Sequence, residues 1–352
     1  MERLAVELLE QIFLLACTDG GFTGCSLSLV SKHIRAVSRS SRFYSVALLS
    51  KSPKQVARFY DAFIKERDAA RHTLPKIRHL CLASAIREVT PLLELPPFRN
   101  DDDLLHIKQL LRQAEESKEQ LRAEMDAEMR QYHADVSKLI QLVAPDVYSL
   151  SLIHCHRSGK PELRFEEQIE FRGFPKLREL TIVGDHPKFV LSEDAARDGA
   201  ALYPQLEHLH LALVSLTAYQ SLDVLSWTSD APQLTHMRIS NINYWPRTVL
   251  DALKKAFATK EMSRRLLQVV MQPHSPPPMG GPCGTPHFVY DNFKQQLRDL
   301  CKPSEIPTVL LPPNKDLKER DWEDIMMRAW VDRVEGRLGC WDTRDPRAEV
   351  CC

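Results

Sequence analysis

Pro175-Lys176-Leu177-Arg178-Glu179-Leu180-Thr181-Ile182 is the stretch from which the rest of the chain can be read. Its form is Pro-x-φ-x-x-φ-x-φ, with φ apolar, and four other segments share it. They are Pro75 with Ile77, Leu80 and Leu82; Pro145 with Val147, Leu150 and Leu152; Pro204 with Leu206, Leu209 and Leu211; and Pro232 with Leu234, Met237 and Ile239. The last four prolines stand 30, 29 and 28 residues apart. The φ-x-φ pair is one face of a short strand, and the earlier φ packs beneath the turn that leads into it. Proline at the start of the strand removes a donor at the sheet margin, where the loss costs least. A period near 28 leaves room for one helix on the return path, and residues 222–225 and 248–257 are candidates. A degenerate sixth copy is expected at Leu266, Val269 and Met271.

This unit resembles a degenerate leucine-rich repeat, although it lacks a regular Asn four residues past the strand core. The resemblance implies an α/β solenoid of short parallel strands with return helices; a plain open α/β domain is the alternative. The array is expected over 144–272. Between the first and second copies lie 70 residues, and 101–143 holds neither Pro nor Gly. Its apolar and small residues alternate by three and four from Leu104 to Val143, with one slip near 128, which predicts one long inserted helix. Asp101-Asp102-Asp103 suits a helix N-terminus. Such a helix can pair with another chain or lie along its own array, and the second arrangement is expected, with residues 115–130 in solvent. Over 47–100, Ser52 and Pro53 suit the start of a connector helix buried through Val56, Phe59, Tyr60 and Phe63, ahead of the first repeat. In 273–352, residues 273–286 read as a loop, 306–311 as a last strand, and 316–338 as a helix capping the array through Trp322, Ile325, Met326, Trp330 and Val334.

The N-terminal 46 residues differ in kind. Leu4, Leu8, Leu9, Ile12, Phe13 and Leu15 form one broad helical stripe, and residues 18–24 stop it. Leu27, Val30, Ile34 and Val37 share a face on a second amphipathic segment, with Leu29 beside it. On Leu4, Glu7, Leu8, Ile12, Leu15, Leu27, Val30, Ser31, Lys32 and Phe43 the stretch resembles an F-box, in particular that of a large set of fungal F-box proteins. Ala5 stands where the family usually has Pro, and Ile34 where Trp is common. The resemblance implies that residues 1–46 form a helical hairpin docking a Skp-type adaptor. Leu4, Val6, Glu7, Leu8, Ile12, Leu27, Val30 and Ile34 would carry the docking or support the hairpin.

Composition bounds the function classes. Lys+Arg and Asp+Glu both number 47, so global charge favours neither nucleic acid nor a membrane surface. No apolar run approaches 18 residues, Met1-Glu2-Arg3 leads into an amphipathic helix rather than a secretory signal, and nine scattered cysteines fit a reducing compartment. A cytoplasmic or nuclear protein is expected. Between Gly20 and Tyr60 there are seven Lys/Arg and no acid. A DNA-reading helix-turn-helix with Lys32, Arg35 and Arg39 is disfavoured because the connection over 18–24 is too long, so a solvated basic face is expected. Nucleotide-binding, zinc-protease and serine-hydrolase motifs are absent from the sequence. His154-Cys155-His156 alternates across a strand and lacks a Cys-x-x-Cys partner, so no metal is expected. Cys351-Cys352 resembles a doubly prenylated tail, but two terminal cysteines alone do not make one.

No catalytic residue and no cofactor are expected. The F-box resemblance implies a substrate-receptor subunit of a Skp–cullin–F-box ubiquitin ligase, expected to reach cullin through the adaptor and to hold an unidentified protein substrate on its repeats. The alternative is a repeat scaffold whose N-terminal hairpin is only a cap.

Overall fold

The repeat signature folds as short parallel strands laid side by side in chain order. In the computed structural model, residues 4–50, 54–70, 74–84, 101–154, 168–184, 187–214, 224–244, 248–259, 265–277, 285–301, 306–313 and 319–351 are described. Helices α1 (Val6–Ala16), α2 (Phe22–Val30) and α3 (Lys32–Val37) come first. Next come β1 (Ser45–Ser50), α4 (Lys54–Asp68), β2 (His79–Ser84), α5 (Asp101–Val143) and β3 (Ser149–His154). The middle holds β4 (Gln168–Phe171), β5 (Glu179–Gly184), β6 (Lys188–Leu191), α6 (Glu193–Arg197), β7 (His208–Ala212), α7 (Ser226–Asp230) and β8 (His236–Ile242). Then follow α8 (Thr248–Phe257), β9 (Gln268–Pro273), α9 (Thr285–Cys301), β10 (Thr308–Leu310), α10 (Glu319–Val334), a 3-10 turn (Gly339–Trp341) and β11 (Glu349–Cys351).

The fold is mixed α/β with a mostly parallel sheet of order β1-β2-β3-β5-β7-β8-β9-β10-β11, in which only β11 runs antiparallel to its neighbour. Register carries the repeat across the sheet. Val46, Leu80, Leu150, Leu180, Leu209, Met237 and Val269 form one column, and Leu48, Leu82, Leu152, Ile182, Leu211, Ile239 and Met271 the next. The φ residues before the strands, Ile77, Val147, Leu177, Leu206, Leu234 and Leu266, are buried in the same core. Side chains of a strand alternate between faces, so both columns lie on one face. Helices α4, α5, α8 and α9 pack on that face through Phe63, Leu139, Leu253 and Leu297 among others.

Several expectations need correction or refinement. Strand β1 belongs to the sheet although Ser41 stands where the other copies have proline, and Phe43, Val46 and Leu48 supply its φ positions. Within the long helix, only the end from Met129 onward is built into the core, while most residues from 108 to 128 are exposed. Of the return helix expected over 222–225, Leu222 and Asp223 lie outside the described residues; Val224 and Leu225 form a turn, and the short α7 follows them. The second return helix, α8, spans the expected Thr248–Phe257. Residues 278–284 of the expected loop, and Ser52 and Pro53 before α4, lie outside the described residues. The loop gives way to α9, whose Tyr290, Phe293 and Leu297 recur at helical spacing and are buried.

The largest departure concerns α10. It does not close the end of the array; the short strand β11 pairs with β10 there. Helix α10 lies across the opposite face of the sheet, where Trp322, Met326 and Trp330 pack on Cys81, Ala83, Ile153, Val183 and Ala212. The reason is on that face: β2, β3, β5 and β7 present small or apolar side chains there, which only a bulky aromatic stripe can cover. Among the described residues no helix is long and apolar enough to cross a membrane.

Candidate protein-docking face

Three short helices, rather than a two-helix hairpin, make up the N-terminus. Ser31 is extended (φ −163°, ψ 164°) and breaks the second amphipathic segment. Its hydroxyl accepts a hydrogen bond from the Ile34 amide at 3.1 Å and so caps α3. The Asp19 carboxylate serves the start of α2, accepting from the Thr23 amide at 2.9 Å and the Thr23 hydroxyl at 2.6 Å. Gly24 lies so close to the Arg42 carbonyl that a Cβ there would sit 2.2 Å from its oxygen, which lets α2 cross the chain leading into β1. The unit is tied to the sheet at its edge. The Gly20 carbonyl accepts from the Ala47 amide at 3.0 Å, and the Ser45 hydroxyl donates to the Cys17 carbonyl at 2.7 Å.

The internal core of this unit is small: Leu9, Phe13, Ile34 and Val37, with Leu27 partly buried against them. Leu9 is 2% and Phe13 5% exposed, whereas Leu8 is 51%, Ile12 49%, Leu15 79% and Leu29 85% exposed. On α1, Leu8, Ile12 and Leu15 share a face at helical spacing, and Leu4 precedes them on the same line. Phe22, Leu29 and Val30 on α2 are exposed as well. Of the residues expected to carry docking, Leu4, Val6, Glu7, Leu8, Ile12 and Val30 therefore face water. Ile34 sits instead in the small core between the helices, with Leu27 partly buried against it. Leu15, Phe22 and Leu29 are part of the exposed apolar set and were not among the expected docking residues.

Beside this face lies a basic cluster. Glu66 on α4 meets Arg35 (3.1 Å), Arg39 (3.7 Å) and Arg42. Burial raises the Glu66 pKa, but the hydrogen bond from Arg35 and the charges of Arg42 and Arg35 outweigh it and hold the carboxyl below its ordinary range. Burial lowers the pKa of Arg42, with Glu66 opposing.

No protein-family model, curated protein or solved structure matches this chain. Its chemistry must be read from its own surfaces.

The second polar concentration is on the sheet face that α10 covers. Arg333 of α10 pairs with Glu179 at 2.8 Å, and the Trp341 indole donates to the same carboxylate at 3.1 Å. Trp341 stands edge-on to His208, which stacks on His236 at 4.5 Å. Arg238 is buried and donates to the Ser240 hydroxyl, the Gln272 side-chain carbonyl and the Cys340 backbone carbonyl. Burial, with His236 and Arg333 adding to it, pushes His208 down to about 4. Burial likewise lowers His236 and places His210 far below its ordinary value. The lowered values favour neutral imidazoles, and the contacts of Trp341, Arg238 and Arg333 fasten the C-terminal segment to the sheet.

The remaining motifs find these places. His154 is buried at the end of β3, with its Nε2 3.3 Å from the Tyr132 hydroxyl, while Cys155 and His156 lie outside the described residues. Cys351 is the last residue of β11, and Cys352 lies outside the described residues.

Proposed function

We propose that the chain is a non-catalytic adaptor whose N-terminal helices dock a Skp-type subunit, and through it cullin, while the rest of the fold holds a protein substrate. The observation that carries this reading is the uncovered line Leu4, Leu8, Ile12 and Leu15 on helices whose own core is Leu9, Phe13, Ile34 and Val37 with Leu27 against them. An apolar helix face left in water supports a protein-interaction site. The F-box pattern falls on this segment, and that resemblance supplies the identity of the partner. The in-register apolar columns support the leucine-rich-repeat-like solenoid as the architecture behind it. Helix α10 covers the second face of the sheet at β2, β3, β5 and β7, and the exposed part of α5 over 108–128 is a surface open to a substrate. Work in the cytoplasm or nucleus accompanies this role.

A second reading has its own support. The Gly20 and Ser45 hydrogen bonds fasten the N-terminal unit against the open edge of β1, as an end cap would be fastened. Leu8→Asp/Ile12→Asp separates the two. Both side chains are exposed, so the adaptor reading expects a folded variant by circular dichroism that no longer forms a one-to-one complex with the Skp-type subunit. Equal binding by variant and parent, or no rise in melting temperature of the parent on adding the subunit, favours the cap.

A further inference from the structure

The outer side of α3 is basic without interruption. Lys32 and Arg35 stand three apart on α3 and share its exposed side, with His33 beside them, and Arg39 follows in the turn after the helix. The chain offers no acid of its own anywhere between Gly20 and Tyr60. The carboxylate brought to the cluster is Glu66, and three guanidiniums converge on it. A carboxylate has about four acceptor positions and each guanidinium five donors, so one carboxylate leaves the set short of acceptors. Arg39 turns partly to the Ala69 carbonyl at 3.3 Å. Arg42 is 7% exposed, and its Nε has no hydrogen-bond acceptor among the described residues. Buried donors of this kind are normally satisfied, and a charged one most of all. The position of the cluster points the same way. In the chain only Ser31 stands between the exposed Val30 that ends α2 and the exposed Lys32 that begins α3, so cations follow apolar residues at the α2–α3 junction.

We propose that this basic face, with Arg42 beneath it, takes a cluster of carboxylates on the protein that docks against the neighbouring apolar face. The proposal rests on the docking reading above and specifies its partner: an acidic protein surface that lies next to an apolar one. Glu66 shows that the guanidiniums are set for a carboxylate, and the exposed Lys32 and Arg35 keep donors free for a second carboxylate from outside. Duplex nucleic acid fits less well, because phosphates need a run of cations along the backbone and here the cations end where Leu29 and Val30 begin. Complementary charge beside an apolar contact fixes orientation and speeds encounter.

The test titrates the full chain with the Skp-type adaptor at low and high salt, and separately with a labelled oligoglutamate peptide and with a short DNA duplex. It is repeated on Lys32→Ala/Arg35→Ala, whose exposed side chains leave the helix core intact. Adaptor affinity is expected to fall about five- to tenfold in the variant, to weaken with salt in the parent, and oligoglutamate is expected to bind the parent in preference to DNA. Adaptor binding that is indifferent to both the substitutions and salt overturns the proposal and leaves the docking face standing. Preference for DNA over oligoglutamate overturns it as well. A parent chain that does not bind the adaptor at all ends the docking reading, and this inference with it.

Discussion

Helices α1 and α10 carry the same kind of apolar stripe and meet opposite fates. On α10, Trp322, Met326 and Trp330 are buried against the sheet. On α1, Leu9 and Phe13 are buried, while Leu8, Ile12 and Leu15 remain in water. A stripe therefore says that a helix has something to cover, and its length relative to the core it meets says whether the chain supplies the cover. The α1–α3 unit is too small to supply it.

The contrast can be broken most directly at α10. Trp330→Ala is expected to cost about 3–5 kcal/mol in chemical denaturation, as loss of a large buried aromatic does. A cost within about 0.5 kcal/mol would mean that α10 rests on the sheet without stabilising it. Leu180→Ala, in the middle of the apolar columns, is expected to cost about 2–5 kcal/mol, read from the same denaturation midpoints. Acid should loosen the covered face selectively. His208 is held down at about 4 against an ordinary value of 6.5, so the unfolded chain binds the proton first as pH falls. The stabilisation is complete above about pH 6.5 and is lost as pH drops toward 4. After allowance for partial exposure this amounts to about 1–2 kcal/mol, and His208→Gln should reduce the fall of melting temperature over that window, with His210 and His236 supplying the remainder. The smallest effect belongs to the uncovered helix: Leu15→Ala should leave stability within about 0.5 kcal/mol of the parent. A larger loss would show that α1 is part of a core and not a docking face.

Much of the sheet was legible because one eight-residue pattern controls both face and register. Pro175, Leu177, Leu180 and Ile182 locate β5, and their counterparts locate β2, β3, β7 and β8. Strand β1 escaped because its copy begins with Ser41, although Phe43, Val46 and Leu48 carry the spacing. Strands β4, β6 and β11 are three or four residues long, too short for a period to declare itself. The inner face of α10 was legible in Trp322, Met326 and Trp330, but periodicity identifies a buried face without identifying what lies against it. Cys81, Ala83, Ile153, Val183 and Ala212 come from four separate strands, and only their pairing brings them together. The exposed apolar face of α1 was legible for the same reason that it was ambiguous. Leu8 and Leu9 look alike in sequence, and the crossing of α1 with α3 decides which one is buried.

The placement of α10 has a consequence for the order in which the chain leaves the ribosome. In the main sheet β2, β3, β5, β7, β8 and β9 can each add to the edge left by the strand before, so the sheet can grow as it is synthesised. The back of β2 is complete at residue 84, yet the helix that covers it begins at residue 319. At about 5–20 residues per second, that surface waits on the order of tens of seconds for its cover. During synthesis Cys81, Ala83 and Ile153 are thus the residues a nascent-chain chaperone would meet, and a stalled or truncated translation product ending before α10 would keep them in the open.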